Sequence, residues 1–212
     1  MARPREFDEN AVLDAAMAQF WLHGYAATSV RDLARCTGLT TTSLYNAFGD
    51  KRTLYRLSLD RYLERSFHDR IGRFEHRLPP DQAIRAFLGE VIEASLDDRQ
   101  RKGCLLVNTA LEMAPHDREF RRAVNAVMVQ VEAFFRRSVE AGQAAGTISA
   151  AHSAEDLGRM LLGVLLGIRV LARSRCERPL LEGLVAPVLA TLAPQPRPQA
   201  RPAPANRPAR KA

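Results

Sequence analysis

The segment from Glu6 to Leu78 contains no proline, and its apolar residues recur at the spacing of a helix rather than a strand. Near its start they return every three to four residues: Val12, Leu13, Ala16, Met17, Phe20 and Trp21. Residues at this spacing lie on one face of an amphipathic helix. No segment of the chain shows a sustained period of two. We therefore predict an all-α fold.

Capping residues, glycines and prolines divide the chain into the predicted helices. The first runs between Asp8 and Gly24, the second from Thr28 or Ser29 to about Cys36, and the third from Thr40 to Phe48. A long helix is expected from Lys51 to about His76. Beyond Pro79-Pro80, further helices are expected over about 81–97, 104–114, 117–142, 153–174 and 179–192. Pro187 is expected to kink or break the last of these.

These elements suggest three regions. Residues 1–50 form an N-terminal three-helix domain, which a long helix joins to a helical bundle over 51–193. Residues 194–212 hold six prolines, five cations and no acid, and such a composition predicts a disordered tail. Most of the net charge of +7 therefore lies in the tail, while residues 1–50 have more acids than cations. The overall charge is thus a poor argument for nucleic-acid binding.

Several classes of protein are disfavoured by composition. No apolar run is long enough for a membrane span, and the N-terminus lacks the apolar stretch of a secretory signal. The three cysteines are far apart in the sequence and do not suggest a disulfide framework, so a cytoplasmic location is expected. The five histidines are scattered, so neither a metal site nor a cofactor is expected.

Two short helices joined by a glycine-containing turn have the outline of a helix-turn-helix. The second helix of such a motif needs short polar side chains on its outer face so that it can enter the major groove. That requirement is met by Thr40, Thr41, Thr42, Ser43, Tyr45 and Asn46. Leu44 and Phe48 would hold the opposite face against the body of the protein. The alternative is a capped surface helix whose hydroxyls face solvent.

The run FWLHGYAATSVRDLARCTGLTTTSLYNAFGDKRTLY, residues 20–55, resembles the DNA-binding domain of the tetracycline-repressor (TetR) family of bacterial transcription regulators. The resemblance is dense over about residues 7–57. It implies phosphate contacts from Tyr45, Lys51 and Thr28 or Ser29. It implies base contacts from Thr41, Thr42 and Ser43, with Arg31 reaching in from the preceding helix. Arg31 could instead pair with Asp32, and Asn46 could read an adenine or face solvent.

A second feature predicts a homodimer. The segment from Leu157 to Ala172 is apolar almost all round, so it should be buried on two sides. One side would meet the core and the other a second copy of the chain. We expect that second side to comprise Leu162, Gly163, Leu166, Gly167 and Val170. The alternative is a helix wholly inside the core. A two-fold dimer would bind a pseudo-palindromic operator.

The bundle is expected to hold a sensor. Cys104, Asn108 and Glu112 are spaced four residues apart, so they lie on one helical face and could line a pocket. The start Gly103-Cys104-Leu105 resembles the branch of the family with electrophile-sensing members, in which a cysteine reacts. The alternative is that Cys104 packs inertly and that Asn108 satisfies a helix end.

The sequence therefore predicts a ligand- or redox-responsive homodimeric regulator, a repressor, whose partners are operator DNA, a second copy of itself and an unidentified small-molecule or electrophile effector. The alternative is a helical enzyme or ligand-binding protein acting on a small molecule. The chain has no nucleophile elbow, phosphate loop or metal-ligand spacing, so no enzyme is expected.

Overall fold

A computed structural model describes residues 7–194, and every regular element in that range is helical. The helices are α1 (Glu9–His23), α2 (Val30–Thr37), α3 (Thr41–Phe48), α4 (Lys51–Leu63), α5 (Asp69–Glu75), α6 (Pro80–Leu96), α7 (Leu105–Glu112), α8 (Arg118–Ala144), α9 (Ala154–Ser174) and α10 (Arg178–Leu192). The all-α prediction is confirmed. None of these helices is both long and apolar enough to cross a bilayer. The predicted tail, apart from Pro194, lies outside the described residues.

Most of the helices begin at the residue that the sequence predicts. At each of these starts a side-chain oxygen accepts a hydrogen bond from a first-turn amide, which satisfies a donor that the helix itself cannot. The N-caps are Asp8, Ser29, Thr40, Asp50, Asp117 and Ser153. Of the two candidates for α2, it is therefore Ser29 that caps.

Two local predictions are corrected. The long helix after Lys51 is not α-helical throughout, because a π turn over Glu64–His68 separates α4 from α5. No break occurs at Pro187, since α10 continues through it to Leu192. Proline removes one amide donor from the helix, and the burial of Val185 and Val188 on either side holds the segment in place.

The core of the bundle is centred on three phenylalanines from α6 and α8. The ring centroid of Phe87 lies 5.2 Å from those of Phe134 and Phe135, and all three side chains are fully buried. α9 packs closely on α8 because Gly158 has no side chain. A Cβ atom there would lie 3.2 Å from the backbone nitrogen of Arg136.

The helix α4 connects the N-terminal helices to the bundle. On one side, Arg61 donates two hydrogen bonds to the Asp14 carboxylate of α1. On the other, the Tyr55 hydroxyl lies 2.8 Å from the Thr109 hydroxyl of α7. The N-terminal helices are thus fastened to the bundle by polar contacts as well as by apolar packing.

Candidate nucleic-acid interface

The α2–α3 pair has a tightly defined local geometry. Ser29 and Asp32 form a reciprocal capping box at the start of α2. Gly38 ends α2 in the left-handed conformation (φ 70°, ψ 10°), which glycine adopts without steric strain. Only Leu39 and Thr40 then precede α3. The sequence-predicted helix-turn-helix is therefore present, with α3 in the position of its second helix.

The two faces of α3 differ sharply. Leu44 and Phe48 are buried against the neighbouring helices, as predicted. On the opposite face Thr42, Tyr45 and Asn46 are exposed, and the Tyr45 side chain is 49 % exposed. Thr41 and Ser43 are half-buried at the edge of this face. A helix with this arrangement can present hydroxyl and amide groups to a groove while its backbone lies close to the bases.

Two hydroxyls at the start of α3 form a hydrogen bond with each other. Thr40 accepts a 3.1 Å hydrogen bond from the Ser43 amide, and its hydroxyl lies 2.9 Å from that of Ser43. Both groups therefore stabilise the start of α3. Thr41 and Thr42 are not bound in this way, so they are the more available of the predicted base contacts.

The predicted phosphate contact from Thr28 is wrong. Its side chain is fully buried, and its hydroxyl donates a 2.6 Å hydrogen bond to the Gly24 carbonyl. Thr28 thus stabilises the turn between α1 and α2. Ser29 is exposed beside it, but its hydroxyl caps α2 and donates a 2.6 Å hydrogen bond to the Asp32 carboxylate.

The two basic residues predicted to contact DNA, Arg31 and Lys51, have different surroundings. Arg31 is exposed, and among residues 7–194 it forms no ion pair, because Asp32 pairs with Arg35 at 2.7 Å instead. The Lys51 ammonium lies 4.3 Å from the centroid of the Tyr25 ring. Burial lowers the pKa of Lys51, and the nearby Glu112 carboxylate opposes that shift. Arg31 is therefore the freer of the two to reach DNA.

Glu112 has a structural role that sequence reasoning missed. Its carboxylate accepts hydrogen bonds from the backbone amides of Tyr25 (2.9 Å) and Ala26 (2.6 Å). It thereby holds the turn between α1 and α2 from the bundle side. The prediction that Glu112 lines a ligand pocket is corrected, because this carboxylate is committed to the turn. No local sequence signal indicates a contact between residues so far apart in the chain.

The other two predicted sensor residues are also held in the interior. Cys104 is 1 % exposed, and its sulfur accepts a hydrogen bond from the Tyr62 hydroxyl at 3.4 Å. The Asn108 amide donates a 3.1 Å hydrogen bond to the Lys102 carbonyl. These contacts agree with the alternative interpretation, in which Cys104 packs inertly and Asn108 bonds to the backbone at a helix end. A cavity of about 460 Å³ lies nearby, but Cys104, Asn108 and Glu112 are not among the described residues that line it.

The predicted dimer face lies on the outer side of α9. Leu161, Leu165 and Ile168 face the core and are buried. The five residues assigned to the second copy are all more exposed than these: Leu162, Gly163, Leu166, Gly167 and Val170. Val170 is 48 % exposed. This asymmetry leaves an apolar surface on a helix that is otherwise packed against the body.

Two family models match the chain, in the order in which its two parts occur. The model of the bacterial regulatory proteins of the tetR family matches residues 12–57, and that of the tetracyclin repressor-like C-terminal domain matches residues 80–181. Together they cover the helix-turn-helix and most of the bundle.

The chain is also similar to several individual proteins. YezE of Bacillus subtilis, described as an uncharacterized HTH-type transcriptional regulator, is 35 % identical over 64 % of this chain and 70 % of its own length. The Escherichia coli HTH-type transcriptional repressor ComR is 28 % identical over 81 % of this chain and 82 % of its own. The solved structure of a cysteine mutant of the regulator CifR, complexed with a 26-base-pair operator DNA, is 30 % identical with a TM-score of 0.79, covering 90 % of this chain and 100 % of that one.

The fold and the polar outer face of α3 define a helix-turn-helix transcription regulator that binds DNA. Specifically, the chain belongs to the TetR family of bacterial regulatory proteins.

Proposed function

We propose that this chain is a homodimeric repressor that binds a pseudo-palindromic operator and releases it when a small molecule binds the bundle. The observation that carries the DNA-binding step is the two-faced α3. Its apolar side is anchored by Leu44 and Phe48, while Thr42, Tyr45 and Asn46 face outward. The related ComR is named as a repressor, and the related CifR has been solved with operator DNA, which supports this assignment.

The division of labour follows the order of the helices. Residues 1–50 would bind DNA, and residues 51–193 would bind the effector and the second copy. Two copies are needed because one α3 offers few charge-assisted contacts. The exposed apolar side of α9 is the proposed contact between them, with α10 packed beside it. In a two-fold dimer the half-sites lie a whole number of DNA turns apart, about 34–36 Å for each turn.

The mode of sensing that the geometry favours is reversible ligand binding rather than direct reaction of Cys104. A reactive cysteine needs solvent access and an environment that favours the thiolate. Cys104 is only 1 % exposed, and its sulfur is held in the interior by a hydrogen bond from the Tyr62 hydroxyl. The cavity is open to solvent and lined by polar and aromatic side chains. A bundle that binds an effector in this way needs no catalytic group, so no enzymatic activity is proposed.

The test of the DNA-binding step is selection of bound duplexes from random DNA, followed by gel-shift titration of the enriched sequence. The expected product is an inverted repeat, bound at two copies of the chain per duplex and weakened by salt. Enrichment of a sequence without two-fold symmetry, or no enrichment at all, would contradict the proposal. If the chain is instead a helical enzyme or ligand-binding protein that does not bind DNA, no sequence should be enriched.

A further inference from the structure

The cavity of about 460 Å³ lies between the N-terminal domain and the bundle. Its wall is contributed by α1, α4, α5, α6 and α9, and by the loop that precedes α7. Ser66, in the π turn, also lines it. A π turn inside an α-helix frequently marks a functional site. The volume is within the range of pockets that hold small organic molecules.

The inner wall of this cavity carries a guanidinium group whose charge is not balanced. Arg169, on α9, is 7 % exposed. One of its terminal nitrogens donates a 3.2 Å hydrogen bond to the Ser95 hydroxyl, and its buried Nε has no hydrogen-bond partner. Among residues 7–194, no ion pair joins Arg169 to a carboxylate. A buried charge without a partner is costly, so such a group indicates a missing anion.

Two other basic residues of the lining, Arg70 and Lys102, differ from Arg169 because each has a carboxylate partner. Arg70 is equally buried, but its Nε donates a 3.0 Å hydrogen bond to Glu90. Lys102 lies 3.2 Å from the Asp98 carboxylate, which balances its charge although Asp98 Oδ1 accepts no hydrogen bond. The remaining charged groups of the lining are exposed at the mouth, and they are Asp97 and Arg99. One inward charge therefore remains, which suits a ligand with a single negative charge.

Four residues of the lining provide surface for an apolar or aromatic body. Trp21 and Tyr62 provide ring surfaces, and Ala94 and Ala172 provide small apolar ones. The Trp21 indole is fixed in position because its N–H donates a 3.2 Å hydrogen bond to the Gly103 carbonyl. A planar carboxylate matches the fork of a guanidinium, which binds such groups through two parallel hydrogen bonds.

We infer that this cavity binds a small organic carboxylate, whose head group pairs with Arg169 and whose apolar body lies against Trp21 and Tyr62. The inference deepens the proposed function, since it names the chemical class of the effector. Trp21 belongs to α1, so a ligand in this cavity contacts the domain that carries α3. A ligand that prefers one position of α1 would shift the population toward that position.

The test uses the full chain without DNA, and Trp21 as the reporter, because it is the single tryptophan of the sequence. The probes are benzoate, phenylacetate and octanoate, each compared with its neutral amide, and inorganic phosphate. We expect at least one carboxylate to change the Trp21 emission saturably, and to bind about tenfold or more tightly than its amide. Calorimetry checks the affinity independently of the fluorescence.

Substitutions of arginine test the position of the head group. Arg169→Gln should abolish the preference for carboxylate over amide, and Arg169→Lys should retain part of it because the charge remains. Arg159→Gln, on the exposed part of the same helix, is the matched control and should bind like the native chain. Circular dichroism establishes that each variant is folded. The comparison of carboxylate with amide needs no variant, so it stands even if Arg169→Gln does not fold.

The inference is wrong if no carboxylate binds, if the amides bind equally well, or if only phosphate binds. It is also wrong if folded Arg169→Gln keeps the native preference. Since the measurement contains no DNA, these results are separate from the operator test. Operator binding without carboxylate binding overturns the ligand class alone. Carboxylate binding without operator binding overturns the repressor proposal and leaves the cavity assignment in place.

Discussion

The Glu112 carboxylate lies 2.9 Å from the backbone nitrogen of Tyr25, across an interface between two parts of the molecule that are 87 residues apart in sequence. The same carboxylate accepts a second bond from Ala26. It therefore ties the turn that orients α2 and α3 directly to α7 of the bundle. A movement of α7 would therefore act on this turn through the Glu112 side chain.

Replacing Glu112 should loosen this connection. Glu112→Ala removes an acceptor from two backbone amides, each bond being worth about 1.5–3 kcal/mol when its acceptor is charged. In a chain of this size each kcal/mol of lost stability lowers the melting temperature by about 2–4 °C, so we expect a fall of about 6 °C or more, with a smaller fall for Glu112→Gln. Thermal unfolding followed by circular dichroism measures both. Glu140→Ala, at an exposed position on α8, is the control and should shift the melting temperature little.

The loss of folding stability at low pH should depend on Asp14 and Asp117. The hydrogen bonds from Arg61, aided by Arg65, lower the pKa of Asp14 to about 2, and those from Arg52 lower the pKa of Asp117 to about 2. A carboxyl in the unfolded chain has a pKa of about 3.9. Because the folded pKa values are lower, both groups stabilise the fold above about pH 4, and this stabilisation is lost as the pH falls toward 2.

Melting temperatures measured between pH 7 and pH 3 check this prediction. Asp14→Asn should be less stable than the native chain at pH 7, and the gap should narrow as the pH falls. If the melting temperatures of Asp14→Asn and the native chain differ by the same amount at every pH, the ion pair of Asp14 with Arg61 does not contribute to the loss of stability in acid.

Substitutions on the outer face of α3 should distinguish a residue that contributes to affinity for all DNA from one that determines base preference. Tyr45→Phe removes a hydroxyl proposed to contact phosphate, and should weaken binding about threefold to tenfold on every duplex tested. Thr42→Val removes a proposed base contact, and should alter the order of preference among operator variants. Competition gel shifts with single-base substitutions distinguish the two. A change of base preference in Tyr45→Phe would contradict the assignment.

A charge on the outer side of α9 should dissociate the dimer. Val170→Glu places a carboxylate in the proposed apolar contact, where burial of an unpaired charge is unfavourable. We expect light scattering to give about half the native mass at micromolar concentration, together with a loss of operator affinity. Val129→Glu is the matched control, since Val129 is similarly exposed but lies on α8. A native mass for Val170→Glu, or dissociation of the control, would contradict the proposed face.

The three cysteines should react in order of their exposure. Cys36 is exposed, Cys176 is intermediate and Cys104 is buried. Mass spectrometry after brief treatment with a thiol-reactive electrophile should find Cys104 unmodified until the chain is unfolded. Although Cys36 as a residue is exposed, partial desolvation of its sulfur raises the pKa of the thiol, so its reaction should be slow at neutral pH. Rapid modification of Cys104 in the native chain would favour redox sensing instead.

The parts of the structure that the sequence could predict are those specified by nearby residues. A hydroxyl or carboxylate at an N-cap contacts an amide two or three residues away, so Asp8, Thr40 and Ser153 indicate helix starts directly. The burial of Leu44 and Phe48 follows from their spacing of four. Thr28 and Ser29 show the limit of such reasoning, since both can cap a helix and only the packed structure distinguishes them.

The contacts that were missed depend on how distant helices pack. Arg169 follows an apolar run, so its sequence context gives no sign of a polar cavity, and its neighbour Ser95 comes from a helix 74 residues earlier. Cys104 is the extended N-cap of α7 and Glu112 is its last residue, so the two mark opposite ends of the helix rather than one helical face. What the sequence did not reveal is that Tyr62 and the α1–α2 turn already occupy the space around them.

The π turn over Glu64–His68 determines the directions in which the side chains of α5 point. Each residue of an α-helix advances the chain by about 100°. If the same residues, Glu64–His68, were wound as a regular α-helix, Arg70 and Arg73 would turn about a quarter of a revolution away from Glu90, with which both now pair. The wide turn thus accommodates one additional residue, and a version of this segment shorter by that residue could keep both arginines at Glu90 with ordinary α-helical winding.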